Sequence, residues 1–114
     1  MPVPLYQAKA ELFRTLGHPA RIRILELLSE REHAVHELLA QISVEPSNLS
    51  QQLAVLRRAL LVVSRRQDGD VLYALSVPEV SEMLLAARQV MGRIATAQSQ
   101  LEAALALDAL QAQR

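Results

Sequence analysis

Cysteine is absent from the 114 residues. That excludes disulfides, thiolate metal sites and cysteine-based redox sensing within this chain. Aromatic residues are scarce, at 3% with no Trp, although 51% of the residues are hydrophobic. A core assembled from Leu, Ala, Val and Ile favours packed helices, because Leu and Ala are strong helix formers. Excess charge is missing too: 12 basic residues balance 12 acidic ones. The basic bulk of many nucleic-acid-binding domains is therefore lacking. Across residues 43–75, Arg57, Arg58, Arg65 and Arg66 stand against Glu45, Asp68 and Asp70, so any attraction for phosphate must come from placement and from dimerisation. No apolar run approaches the roughly 20 residues that span a bilayer. Residues 1–10 have neither the basic start nor the apolar stretch of a signal peptide. The expectation is a cytoplasmic protein with no membrane partner, one domain over residues 1–114.

What is present is helical spacing, then a hairpin, then a long helix. Leu5, Ala8, Leu12 and Leu16 mark an amphipathic first helix over residues 4–16, stopped by Gly17-His18-Pro19. Pro19 suits the first turn of the next helix, where a missing N–H costs nothing. That second helix, about residues 20–29, carries Ile22, Leu25 and Leu28 on one face with Arg21 and Arg23 beside it. Val35, Leu38, Leu39 and Ile42 give a short third helix. Ser43-Val44-Glu45 reads as a three-residue turn and Pro46 as the first residue of a fourth. Two short helices about a tight turn, over about residues 35–59, form the helix-turn-helix pattern. The β-prone runs 61–65 and 71–75 flank Asp-Gly, a strong short-range hairpin signal, placing a wing at about 61–75. Pro78 opens a last helix running to about Gln111. The expected fold is mainly α with a small β-hairpin wing, a winged helix-turn-helix.

Chemistry concentrates in residues 47–66. On a helix begun at Pro46, Leu49, Leu53, Leu56 and Leu60 should point inward, leaving Ser47, Asn48, Ser50, Gln51 and Gln52 toward solvent near its N-terminal end. Asn and Gln can pair bidentately with adenine in a major groove, and hydroxyls and arginines hold phosphates. Asn48 and Gln51 are the candidates for base contact, and Ser47, Ser50 and Gln52 those for phosphate. The competing reading is a solvated amphipathic helix with a polar cap. Arg65 and Arg66 on the wing are candidate backbone contacts, against an ordinary charged hairpin whose tip is acidic. Arg57 is a further candidate DNA contact, although at the helix's far end it equally suits the dipole, as does Arg58. Arg21 and Arg23 fit surface ion pairs better than DNA. On the last helix, Leu84, Ala87, Met91, Ile94, Gln98, Leu101 and Leu105 keep a 3-4 spacing. The helix is about 50 Å long at 1.5 Å per residue, more than a small domain can cover, so a second copy of the chain is the expected partner. Its polar face has few basic residues, which argues against a membrane surface.

The order of elements and three runs, Leu16 to Leu25, Leu49 to Arg58 and Leu72 to Leu75, resemble the ArsR/SmtB family of bacterial transcriptional repressors. The resemblance covers about residues 10–91. It implies a homodimer joined through the first and last helices, with Leu5, Leu12, Leu84, Met91, Ile94 and Leu101 as interface candidates. It further implies a double-stranded, palindromic operator and release of DNA when an effector binds. The sequence departs from the family at Leu60, where members often have Gly to supply a left-handed helix cap. Leu60 therefore implies a different helix end or a strained one. Metal sensors of the family often carry Cys-Val-Cys at the start of the third helix. Here the matching residues are Ala34-Val35-His36, and residues 77–114 hold no His for the family's other site. His33 and His36, with Glu37, are weak metal candidates that require both imidazoles on one helix face. Two partly exposed histidines at a helix start is the preferred reading. His18 reads as a turn residue. No cofactor is expected, the residues identify no effector, and no catalytic set stands out. The expected function is a homodimeric, sequence-specific repressor on an inverted repeat, with its own promoter among the candidate targets. The alternative is a winged-helix protein–protein interaction module without specific DNA binding.

Overall fold

The computed structural model describes residues 2–112, so Met1, Gln113 and Arg114 of the single domain expected over 1–114 lie outside the described residues. Two compact units are present, Met1–Glu82 and Met83–Arg114. The first contains α1 (Leu5–Leu16), α2 (Pro19–Glu30), β1 (His33–Ala34), α3 (Val35–Gln41), α4 (Pro46–Arg58), β2 (Val62–Gln67) and β3 (Asp70–Leu75). The first turn of the long helix α5 (Glu79–Ala112) belongs to the first unit, and the helix from Met83 onward makes the second.

Local chemistry sets the element boundaries. His18 caps α2: its Nδ1 accepts the backbone N–H of Ala20 at 3.2 Å, and Pro19 takes the first helical position. A side-chain acceptor here satisfies one of the N–H groups that a helix start leaves unpaired. α3 opens with the Ala34 N–H donating to the Glu37 carboxylate at 2.9 Å. Arg31 also pairs with that carboxylate at 2.7 Å. The Arg31 guanidinium first, then the Ala34 N–H, push the Glu37 carboxyl down to about 2. α4 is preceded by Glu45 and starts at Pro46.

The core of the first unit lies between α2, α3, α4 and the base of the wing. Ile24, Leu25, Leu38, Leu49, Leu53, Leu56 and Val62 are completely buried there, and Val80 from the start of α5 joins them. Burying one such aliphatic side chain stabilises the fold by about 1.5–3 kcal/mol. The expected aromatic-poor core is therefore realised by interlocking Leu and Ile.

The wing pairs Val62 with Leu75 through Gln67 with Asp70. Asp68 and Gly69 form the two-residue loop with φ of 51° and 85°, the positive values that a tight hairpin turn of this twist needs. A third strand was not expected from the sequence. β1 pairs antiparallel with β3, His33 opposite Tyr73 and Ala34 opposite Leu72, giving the order β1-β3-β2. Two residues are too short to show an alternating pattern, so this strand exists only through its tertiary partner.

Candidate nucleic-acid interface

α4 divides sharply into two faces. Leu49, Leu53 and Leu56 anchor it in the core, while Ser47, Ser50 and Gln51 are exposed and Asn48 is half-exposed. Gln52 departs from the solvent-facing position expected of it. It is only 8% exposed, its Oε1 accepts from Arg21 Nε at 2.7 Å, and its Nε2 donates to Asn48 Oδ1 at 2.9 Å. Arg21 also donates through Nη1 to the carbonyl oxygen of Thr15, at 3.1 Å. Its role is thus internal, not the expected surface ion pair. Arg23 does form such a pair, with Glu26 at 3.3 Å. Arg57 and Arg58 are exposed at the C-terminal end of α4, where positive charge complements the helix dipole.

The end of α4 corrects one expectation and resolves another. Leu60 does not point inward: it is 75% exposed, and Leu61 is the buried residue. Leu60 has φ of 64°, the left-handed conformation usually given to glycine. Its N–H donates to the Arg57 carbonyl and the Leu61 N–H to that of Leu56, both at 3.0 Å. These two bonds make a Schellman cap. The strained alternative is the one adopted, and the helix still ends where a glycine would end it. The cap leads directly into the wing. Ser76 Oγ donates to the Leu60 carbonyl at 2.6 Å and the Ser76 N–H to that of Leu61 at 3.0 Å, tying the far strand's end to the helix turn.

The two wing arginines have different surroundings. Arg65 donates through Nε and Nη2 to the two carboxylate oxygens of Glu32, just before β1. The guanidinium holds the Glu32 carboxyl below the usual carboxylate range, and the carboxylate raises Arg65 in return. Arg66, its neighbour in β2, is exposed and makes no side-chain hydrogen bond or ion pair among the described residues.

The histidines are not brought together on a helix. His33 lies in β1, 4% exposed, with Nδ1 at 2.9 Å from the Arg31 carbonyl oxygen. A carbonyl only accepts, so Nδ1 carries the proton. His36 lies on α3, exposed, 3.9 Å from the Asp70 carboxylate. The i, i+3 pairing that the weak metal candidate required is therefore replaced by a strand residue and a helix residue. Glu37 is engaged by Arg31 and Ala34. Among the described residues no group of three or more His, Asp or Glu is placed to hold a metal ion.

Of the interface candidates, Leu5, Met91, Ile94 and Leu101 are exposed, and Leu12 and Leu84 are half-buried. No described helix is long and apolar enough to cross a membrane.

A helix-turn-helix anchored in the core, with a polar, exposed face on its second helix and a three-stranded wing after it, defines a winged helix-turn-helix fold. The chain matches the bacterial regulatory protein arsR family over residues 18–64. It is 54% identical over 92 residues to the helix-turn-helix transcriptional regulator Rv0081 of Mycobacterium tuberculosis, covering 80% of this chain and 81% of that one. The crystal structure of Rv0081 superposes with a TM-score of 0.78 at 51% identity, covering 85% of this chain and 98% of that chain. The biofilm growth-associated repressor of Agrobacterium fabrum is 34% identical over 88 residues, 74% of this chain and 75% of its own length. A homodimeric winged helix-turn-helix DNA-binding domain of Mycobacterium bovis shares the fold at 24% identity, with a TM-score of 0.68 over 77% of this chain and 82% of that one. The chain belongs to the ArsR family of helix-turn-helix transcriptional regulators, which are DNA-binding proteins and not enzymes.

Two contacts around this surface carry little sequence signal. The Arg21–Gln52 and Glu32–Arg65 contacts join residues 31 and 33 positions apart, beyond the reach of any local pattern.

Proposed function

We propose that the chain is a homodimeric, sequence-specific transcriptional repressor that inserts α4 of each protomer into successive major grooves of an inverted-repeat operator. The carrying observation is the exposed row Ser47, Ser50 and Gln51 on a helix whose opposite face is completely buried. The helix is held rigidly while its polar edge stays open to a base. Gln51 suits adenine, which a Gln reads bidentately, and Ser47 and Ser50 suit phosphates. Arg66, without a side-chain partner among the described residues, suits the adjacent phosphate backbone.

The repressor role is supported by the biofilm growth-associated repressor among the relatives. Dimerisation is supported by the exposed apolar residues Leu5 on α1 and Met91, Ile94 and Leu101 on α5. The homodimeric Mycobacterium bovis domain supports it as well. A second copy leaves the net charge at zero but presents a second Arg66 to DNA, so the attraction comes from placement.

Selection of bound duplexes from a random library tests this reading. The expected product is an inverted repeat with half-site centres about 10 bp apart, one turn of DNA. Gln51→Ala should lose about 1–3 kcal/mol of discrimination at one position per half-site while non-specific binding is spared. Equal loss on all sequences would remove Gln51 from base contact. No enrichment at all would favour the protein-interaction module, which the balanced charge and acidic wing tip also suit.

A further inference from the structure

The two side-chain amides linking α2 to the start of α4 can be oriented without ambiguity, and the reason lies in Arg21. A guanidinium has five N–H donors and no acceptor. Arg21 Nε meets Gln52 at 2.7 Å, so the facing atom must be the Gln52 carbonyl oxygen. The Gln52 NH2 then faces Asn48 at 2.9 Å. Because an NH2 only donates, the Asn48 oxygen must turn toward it. With its oxygen turned toward Gln52, Asn48 presents its amino group to an incoming ligand. The chain of donors is anchored at its origin, since Arg21 Nη1 is held by the Thr15 carbonyl at 3.1 Å. Gln52 is buried, which shields the relay from water, whereas Asn48 at its end is half-exposed between Ser47 and Ser50.

We propose that Arg21 and Gln52 are positioning residues for sequence recognition: they lock Asn48 with its amino group outward, so that it meets DNA as a donor. In the major groove it then selects an acceptor edge, best met by guanine with N7 and O6, over the N4 donor of cytosine. This rests on the reading that α4 enters the major groove. It makes specificity depend on a residue of α2 that touches no base.

The relay has a direct inversion test. In Gln52→Glu, one carboxylate oxygen still accepts from Arg21, but the other can only accept. Asn48 must then turn its amino group inward and its oxygen outward. Random-duplex selection with full-length wild type, Gln52→Glu, Gln52→Met and Asn48→Ala reads the outcome. The diagnostic position is the one where Asn48→Ala erases the base preference. Wild type should favour guanine there by about fivefold or more, the net worth of one hydrogen bond. Gln52→Glu should shift the preference to cytosine or adenine, which present amino donors. Gln52→Met, which removes both bonds and leaves the Asn48 amide free to rotate, should accept both edges nearly equally. A merely structural role would lower affinity without moving the preferred base.

Thermal melts followed by circular dichroism establish that each variant is folded, and Gln52→Met carries the test if Gln52→Glu does not fold. Unchanged base preference in both Gln52 variants overturns the proposal while leaving the DNA reading intact. So does a uniform loss of affinity in Asn48→Ala, which would make Asn48 a phosphate contact. No enriched sequence with wild type would overturn the DNA reading, and this inference with it.

Discussion

The wing separates two adjacent arginines by their partners, and that difference is measurable as a salt dependence. Arg65 is engaged by both oxygens of Glu32, whereas Arg66 has no partner among the described residues. Each phosphate neutralised by a free cation adds about 0.9 to the slope of log affinity against log salt. One Arg66 contact per protomer, two in a dimer, should therefore contribute about 1.8. Between 50 and 200 mM salt, a fourfold change, this corresponds to about a twelvefold change in affinity. Arg66→Ala should lose that component on specific and scrambled duplexes alike. Arg65→Ala should leave the slope nearly as in wild type, because its charge is already matched by Glu32. Glu32→Gln should release Arg65 toward the backbone, tightening binding and steepening the slope beyond wild type. Fluorescence anisotropy over a salt series measures all four proteins. Equal flattening by Arg65→Ala and Arg66→Ala would show that the Glu32 pair does not persist on DNA, and would refute the assignment.

Three further outcomes follow from the same structure. Leu60 in the left-handed region carries about 1–2 kcal/mol of backbone strain, and its exposed side chain loses little on removal. Leu60→Gly should raise stability by about 0.5–1 kcal/mol after glycine's own entropic cost, and Leu60→Ile should lower it, in urea melts at fixed protein concentration. A destabilised glycine variant would contradict the cap. The Arg31 guanidinium and the Ala34 N–H push the Glu37 carboxyl down to about 2 from the ordinary 4.5. Its contribution is therefore complete above about pH 4.5 and lost as pH falls toward 2. The stability gap between wild type and Glu37→Gln should close across that window, and a gap constant with pH would rule the pairing out. Ile94→Asp with Leu101→Asp places charge on the exposed stripe of α5 and should convert a dimer to monomer in sedimentation equilibrium. A dimer that survives both changes would remove α5 from the interface.

The elements that were legible from sequence are those whose signal is local. Leu49, Leu53 and Leu56 recur at helical spacing, Pro46 marks a helix start, and Asp68-Gly69 marks a two-residue turn. The structure realises each of these within a residue or two. What escaped was set by tertiary partners. β1 is two residues long and exists because β3 offers an edge. Gln52 reads as a solvent-facing amide by helical phase, yet Arg21 from α2 draws it into a buried hydrogen bond. Leu60 continues the i, i+4 leucine row and so reads as core. The helix instead ends at Arg58, and the cap turns Leu60 outward while Leu61 enters the core. The preferred reading of two partly exposed histidines at a helix start fails at His33, which is buried in β1 because the helix begins only at Val35; His36 alone is exposed on it.

The central claim is specific binding to an operator, and the most direct test is anisotropy with the duplex upstream of the protein's own gene against a scrambled duplex of equal length. At low and moderate salt the protein should bind the upstream duplex more tightly, with the difference persisting as salt removes the electrostatic part shared by both. Failure to bind either duplex at low salt would contradict the account and bring the protein-interaction reading to the front.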